Sequence, residues 1–328
     1  MDKNIVISVK TILIGIVMAL IFYVLYLLAP IFGFLFLSTL IVISIEPLVK
    51  KLMGIILFNK PLPRGIAVIF SYILLIVVFS LIGTISIKPA LDQVGKMLGT
   101  LSDLAINLKL GPLDISVSDV LTQATKIGGD FLSVVNSVIN NVFAVITIIT
   151  LAVFISIDWE NIKKQFISLF SEEKESEIKG VFKEIETNVS GWVKGQLILM
   201  CTIGLVSFIG LTILGVKYTS ALAVLAGFLE VVPTFGPIIS AIIAGVVALA
   251  DSPIKAVGVI ALFIVIQQLE NNILVPKIMQ KVTGFSPLII LIALLVGGKL
   301  FGIIGTLISV PSIIIGAVIL KRVLKSKD

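Results

Sequence analysis

Residues 218–250 read YTSALAVLAGFLEVVPTFGPIISAIIAGVVALA, 33 residues with a single charge, at Glu230, and a Pro233-Thr234-Phe235-Gly236-Pro237 break near the middle. A membrane-crossing helix takes about 20 predominantly apolar residues. The run is therefore too long for one ordinary span, and each of its two pieces is too short to cross comfortably. Two prolines and a glycine within five residues stop a helix. The stretch predicts a helical hairpin that dips into a membrane and turns back at Pro233–Pro237.

The rest of the chain agrees with that medium. Of its 328 residues 58% are hydrophobic and 13% charged, and the mean hydropathy is +1.20. A soluble protein carries about 45–50% apolar and about 25% charged residues. The fold class that follows is all-α and polytopic. There is no histidine, which removes imidazole-based metal sites, general bases and triads. Cys201 is the single cysteine, so intramolecular disulfides and paired-thiol motifs are excluded. It lies in the apolar run after Gln196, where an inert buried thiol is expected. The net charge of +6 is spread in short clusters such as Lys50-Lys51 and Lys321-Arg322 between apolar runs. That pattern fixes orientation in a bilayer and does not form a stripe for nucleic acid. No Gly-x-x-x-x-Gly-Lys-[Ser/Thr] loop occurs, so direct drive by ATP is not expected. Nor is any cofactor, or an enzyme's activity.

Working outward from the hairpin gives the organisation of the chain. Residues 1–87 hold transmembrane helices 1–3: two short spans within 11–45, joined by a turn at Ala29-Pro30, and a third from Gly65 to Ile87. The first run lacks a small-x-small cleavage site and reads as an uncleaved span. Residues 88–137 form a polar, amphipathic helical segment outside the cytoplasm, with apolar residues at helical spacing. Helix 4 occupies 138–157 and ends at Asp158. A charged cytoplasmic helical connector, 158–195, follows. Residues 196–328 form the transport core, with two broken hairpins, 218–250 and 286–320. The total is about six full spans plus two hairpins, or eight spans. With both termini cytoplasmic, 18 of the 25 Lys and Arg residues lie inside, 6 lie outside, and Lys299 is within the membrane.

Ionised groups at membrane depth are costly, at least ~2.5–3.5 kcal/mol on insertion scales, and so mark candidate sites. Glu46 sits at a span end beside Pro47 and Lys50, where snorkelling to the interface is easy. Glu230, Glu270 and Lys299 have long apolar flanks. Glu230 closes the first half-helix of the hairpin. On a helix Gln267, Glu270 and Asn271 share one face, a polar stripe turned from lipid. Lys299 lies at Gly297-Gly298-Lys299, the expected break of the second hairpin. Two readings stay open: a structural ion pair between Lys299 and one glutamate, or a polar pathway lined by Glu230, Pro233, Gly236, Pro237, Gln267, Glu270, Asn271, Gly297, Gly298 and Lys299.

Gly227-Phe-Leu-Glu230-Val-Val-Pro233-Thr-Phe-Gly236-Pro237, Gln268-Leu-Glu270-Asn-Asn-Ile-Leu-Val-Pro276-Lys-Ile-Met, Pro287, Gly297-Gly298-Lys-Leu-Phe-Gly302-Ile-Ile-Gly305 and Val310-Pro311 resemble, in order and spacing, the signature of the autoinducer-2 exporter family of bacterial permeases. The match runs over roughly 192–323 and departs at Gln280 and Thr234-Phe235. The resemblance implies a multi-pass protein of the bacterial cytoplasmic membrane, a homo-oligomer that exports a small polar solute such as autoinducer-2. Some relatives resemble monovalent-cation/proton antiporters, which makes H+ or Na+ alternative partners. A non-transporting membrane scaffold is the third reading.

Overall fold

A computed structural model describes residues 9–57, 60–82, 142–232, 235–279 and 286–325, with isolated positions between 84 and 133. Its helices are α1 (Val9–Met53), α2 (Arg64–Ile82), α3 (Val142–Ile167), α4 (Glu172–Ile213), α5 (Thr219–Leu229), α6 (Phe235–Asp251), α7 (Pro253–Leu269), α8 (Val275–Ile278) and α9 (Pro287–Lys325). A π-helical turn, Glu270–Leu274, joins α7 to α8. A two-residue antiparallel pair, β1 (Ile56–Leu57) with β2 (Lys60–Pro61), turns the chain between α1 and α2. The protein is an all-α polytopic membrane protein, with seven helices or helix segments long and apolar enough to span among the described residues.

Three elements differ from the sequence expectation. The turn at Ala29-Pro30 does not form: α1 is one helix of 45 residues, holding the span-length windows Ile12–Ala29 and Ile31–Met53 end to end. Proline removes one backbone hydrogen bond, and an apolar medium offers no water to replace the others, so the helix continues through it. The charged connector is not a separate element. Its first part extends α3 past Asp158 to Ile167, and the rest opens α4, whose 42 residues run from Glu172 into the membrane. Glu and Lys are good helix formers, so the change in composition alters the solvent around the helix without ending it. Cys201 is exposed on α4 and not buried. Most of the 88–137 segment lies outside the described residues. Within it, the Gln93 side chain accepts a hydrogen bond from the Ala221 N–H at the start of α5, 3.2 Å.

Packing divides into two cores that share α4. One unites α4, α5, α6 and α7 through Ile203, Leu211, Leu222, Leu225, Ile243, Val259, Phe263 and Ile266. The other joins α1, α2, α3, α4 and α9 through Val42, Val49, Val68, Val189, Trp192, Leu199, Val310 and Ile314. Lipid tails are as apolar as leucine, so such bundles hold by close packing and internal polar bonds. Gly227 shows how close: a Cβ there would lie 2.7 Å from the Met200 carbonyl oxygen on α4.

Polar groups collect at the two ends of the bundle. On one face Arg64 of α2 donates to both oxygens of Glu46 on α1, at 2.9 and 2.7 Å, and to the Ser156 carbonyl of α3 at 2.7 Å. Glu46 is 1% exposed, so it is buried in this bidentate pair and does not snorkel to the interface. The same face carries Lys163 of α3 bonded to Glu186 of α4 at 2.8 Å, the Trp159 indole N–H donating to Glu186 at 2.7 Å, and Arg322 of α9 bonded to Glu184 at 3.2 Å. On the opposite face Asp251 pairs with Lys217, 2.8 Å, and with Lys255. Hydrogen bonds from these two lysines hold the Asp251 carboxyl down at about 2. The contribution of that bridge is complete above the ordinary carboxylate range and is lost only as pH falls toward 2.

The Glu46–Arg64 pair is charge-balanced and fully hydrogen-bonded, so removing one partner strands the other. Arg64→Met should lower thermal unfolding stability by about 3 kcal/mol, and the double variant Glu46→Leu with Arg64→Met should recover most of the loss. A single variant as stable as the native chain would contradict a structural role for the pair.

Candidate functional site

The two hairpins enter the bundle from opposite faces. α5 leaves the Lys217 end of α4 and reaches inward to Glu230, and α6 returns to Asp251 on the same face. The legs of α9 begin at Pro287 and finish beside Glu184 on the other face. Their reversal lies at Phe301 and Gly302, where Gly302 has φ +60° and ψ −139°. That is three residues beyond the Gly297-Gly298-Lys299 break expected from sequence. Gly297 instead lies within a leg and faces Gly305 so closely that neither has room for a Cβ. Ser309 fastens the legs by donating to the Ala293 carbonyl, 2.9 Å.

At the inner end of the first hairpin, Gly236 lies against the backbone of Leu229 with no space for a side chain, which lets the chain turn back tightly. Pro237 and Ser240 are buried on the returning helix. Pro233 and Thr234 lie outside the described residues. The half-helix α5 ends with free backbone carbonyls, as any helix does. Gln196 of α4 reaches one of them: its side-chain N–H donates to the Glu230 carbonyl at 2.6 Å, and the residue is 4% exposed. Sequence reading did not pick out Gln196. The available signal is a lone amide at the start of an apolar run, opposite a helix that must end inside the membrane.

Glu230 and Glu270 are brought together. They are 0% and 2% exposed, and their carboxyls face each other. Among the described residues no N–H or hydroxyl donor reaches either oxygen of Glu230. Two carboxyls share a hydrogen bond only when one of them carries a proton. Gln267 makes a long contact to Glu270, 3.5 Å. Asn271 does not join them and is exposed. The π-helical turn beginning at Glu270 widens the helix, so the i+4 position no longer falls on the face that an α-helix would give it. Lys299 is also exposed, and no ion pair involves it among the described residues. The structural pairing of Lys299 with a glutamate is therefore not the arrangement found. Gly298 is half-buried in the same leg.

Interrupted helices that meet at membrane depth, with buried acids at their junction, define the architecture of a membrane transporter. The pattern described as AI-2E family transporter matches residues 14–325, and the chain belongs to that family. It is similar to "Putative transport protein YueF" of Bacillus subtilis (strain 168), 26% identical over 281 residues, covering 78% of this chain and 75% of that protein. "Putative transport protein YrrI" of the same organism is 33% identical over 131 residues, 40% of this chain and 37% of that protein. "Putative permease PerM" of Escherichia coli (strain K12) is 26% identical over 133 residues, 40% of this chain and 38% of that protein.

An exposed ammonium and a crowded glycine should behave oppositely. Lys299→Met should leave thermal stability within about 0.5 kcal/mol of the native chain. Gly227→Ala, which forces a Cβ against Met200, should cost about 1–3 kcal/mol. A loss in Lys299→Met as large as that in Gly227→Ala would show that the ammonium is paired after all.

Proposed function

We propose that the chain is a secondary transporter that exports a small hydrophilic solute through the region between its two broken hairpins. The observation that carries this is the Glu230–Glu270 contact, two acids buried among apolar helices where one half-helix ends and another widens into a π turn. A purely structural scaffold gains nothing from such a pair, since each buried carboxyl costs desolvation and, among the described residues, neither has a cation to offset it. The buried Glu46, by contrast, is matched to Arg64. The family resemblance supports an autoinducer-2-like solute and a homo-oligomer in the bacterial cytoplasmic membrane. Transport is not driven directly by ATP, since the sequence has no phosphate-binding loop.

The Lys163–Glu186 face is assigned to the cytoplasm, with the C-terminus, because the basic residues concentrate there. A straight helix of 45 residues measures about 67 Å against a hydrocarbon layer of about 30 Å.

Everted membrane vesicles containing the chain should accumulate autoinducer-2 from the medium when an ion gradient is imposed. Glu270→Gln keeps shape and hydrogen bonding while removing the charge. It should assemble normally and transport at least about tenfold more slowly, ~1.4 kcal/mol at the limiting step. Equal accumulation by the native chain and Glu270→Gln would overturn the role given to the acid pair. No accumulation by either would overturn this solute.

A further inference from the structure

α4 carries two glutamates two residues apart, Glu184 and Glu186, at the face where Lys163 and Arg322 lie. At 3.6 residues per turn they stand about 200° apart around the helix, and so point to nearly opposite sides. Glu186 faces α1 and α3, where Lys50, Lys163 and the Trp159 indole N–H meet it. Glu184 faces the returning leg of the second hairpin, where Arg322 bonds it at 3.2 Å and Lys321 lies at 3.7 Å. The Arg322 guanidinium also lies across Gly180, one turn earlier on α4, where a Cβ would come within 3.5 Å of Nη2. A single turn of α4 thus joins the second hairpin to the rest of the bundle.

The two sides differ in strength because they differ in access to water. The Lys163 side chain is 12% exposed, and the Glu186 cluster continues through Lys50 to the buried Glu46 and Arg64. Opening a network of that kind strands buried charges. On the other side Arg322 is 39% exposed and Lys321 64%. Each keeps water as an alternative partner, so a bridge of this sort adds little and breaks readily. The hairpin itself is a unit. Ser309 ties leg to leg, and Gly297 and Gly305 press the two backbones together. Its contacts with α1 and α4 run through Leu294, Val310 and Ile314, apolar side chains whose separation strands no charge.

We infer that Glu184 with Arg322 and Lys321 is a reversible latch. Closed, it holds the returning leg of the second hairpin against α4. Open, it frees that leg while the network around Glu186 keeps α1, α2, α3 and α4 together as a fixed frame. Release parts α9 from α4 at the face assigned to the cytoplasm, and re-formation closes it. The inference rests on the transport reading for the use of this movement. The movement is measured without any solute, so a wrong solute leaves the latch standing, and a static hairpin leaves the solute untouched.

Pulsed electron paramagnetic resonance on the full chain in lipid nanodiscs, in a Cys201→Ser background, reads the distances directly. One pair of nitroxide labels, on Ser176→Cys and Leu320→Cys, spans the latch from α4 to α9. A second pair, on Ser176→Cys and Lys51→Cys, spans the frame from α4 to α1; all three positions are exposed. The latch pair should show a short and a long distance, with the share of the long one rising roughly two- to fivefold in Glu184→Gln, as loss of an exposed ion pair allows. Arg322→Gln, which removes the other partner, should shift it the same way. The frame pair should keep one distance throughout. A latch-pair distribution identical in the native chain, Glu184→Gln and Arg322→Gln would overturn the latch. So would a frame pair that broadens as much as the latch pair, since the whole face would then be loosening together.

Discussion

No water reaches the centre of a bilayer to satisfy a polar group, so every carbonyl, amide and charge placed there must find its partner within the protein. The architecture follows from that constraint. Continuous helices such as α3 and α4 satisfy their own backbone, and packing is left to choose their neighbours. The broken helix α5 cannot do this at its inner end, and the fold supplies Gln196 from α4 to take up the Glu230 carbonyl. Glycines at 227 and 236 then allow the backbones to come close enough for such contacts to form.

The same constraint separates two kinds of buried acid. Glu46 is fully compensated, with the Arg64 fork on both oxygens and Lys50 at 3.6 Å, and ties the ends of α1, α2 and α3 together. Among the described residues Glu230 is faced by another acid and by no cation. The first arrangement fixes a structure. α4 touches both regions, with Glu186 in the ionic cluster at one end and Gln196 at the acid pair, about 15 Å further along the helix axis.

Much of the fold was legible because helix-stopping residues act locally. Proline and glycine at 233–237 mark the first hairpin whatever surrounds them, and apolar runs of span length need no tertiary information. What failed depended on which side chains meet in space. Lys299 lies in the correct broken hairpin but faces outward, and nothing in its flanks reports that. Asn271 shares a face with Gln267 only in α-helical geometry, which the π turn at Glu270 replaces. Cys201 sits in an apolar run, and hydropathy does not tell a core-facing position from a lipid-facing one. The mutual approach of Glu230 and Glu270, 40 residues apart, follows from the way α5 and α7 pack against α4, which no local pattern encodes.

Whether those two carboxyls act as one unit is measured most directly by a double-mutant cycle on thermal unfolding in lipid bicelles, using Glu230→Gln, Glu270→Gln and the double variant. Two acids in contact should give a coupling energy above about 0.5 kcal/mol, since replacing either one already relieves the crowding of like groups that the other feels. Effects that add within about 0.3 kcal/mol would place the two side chains in separate environments and contradict the account.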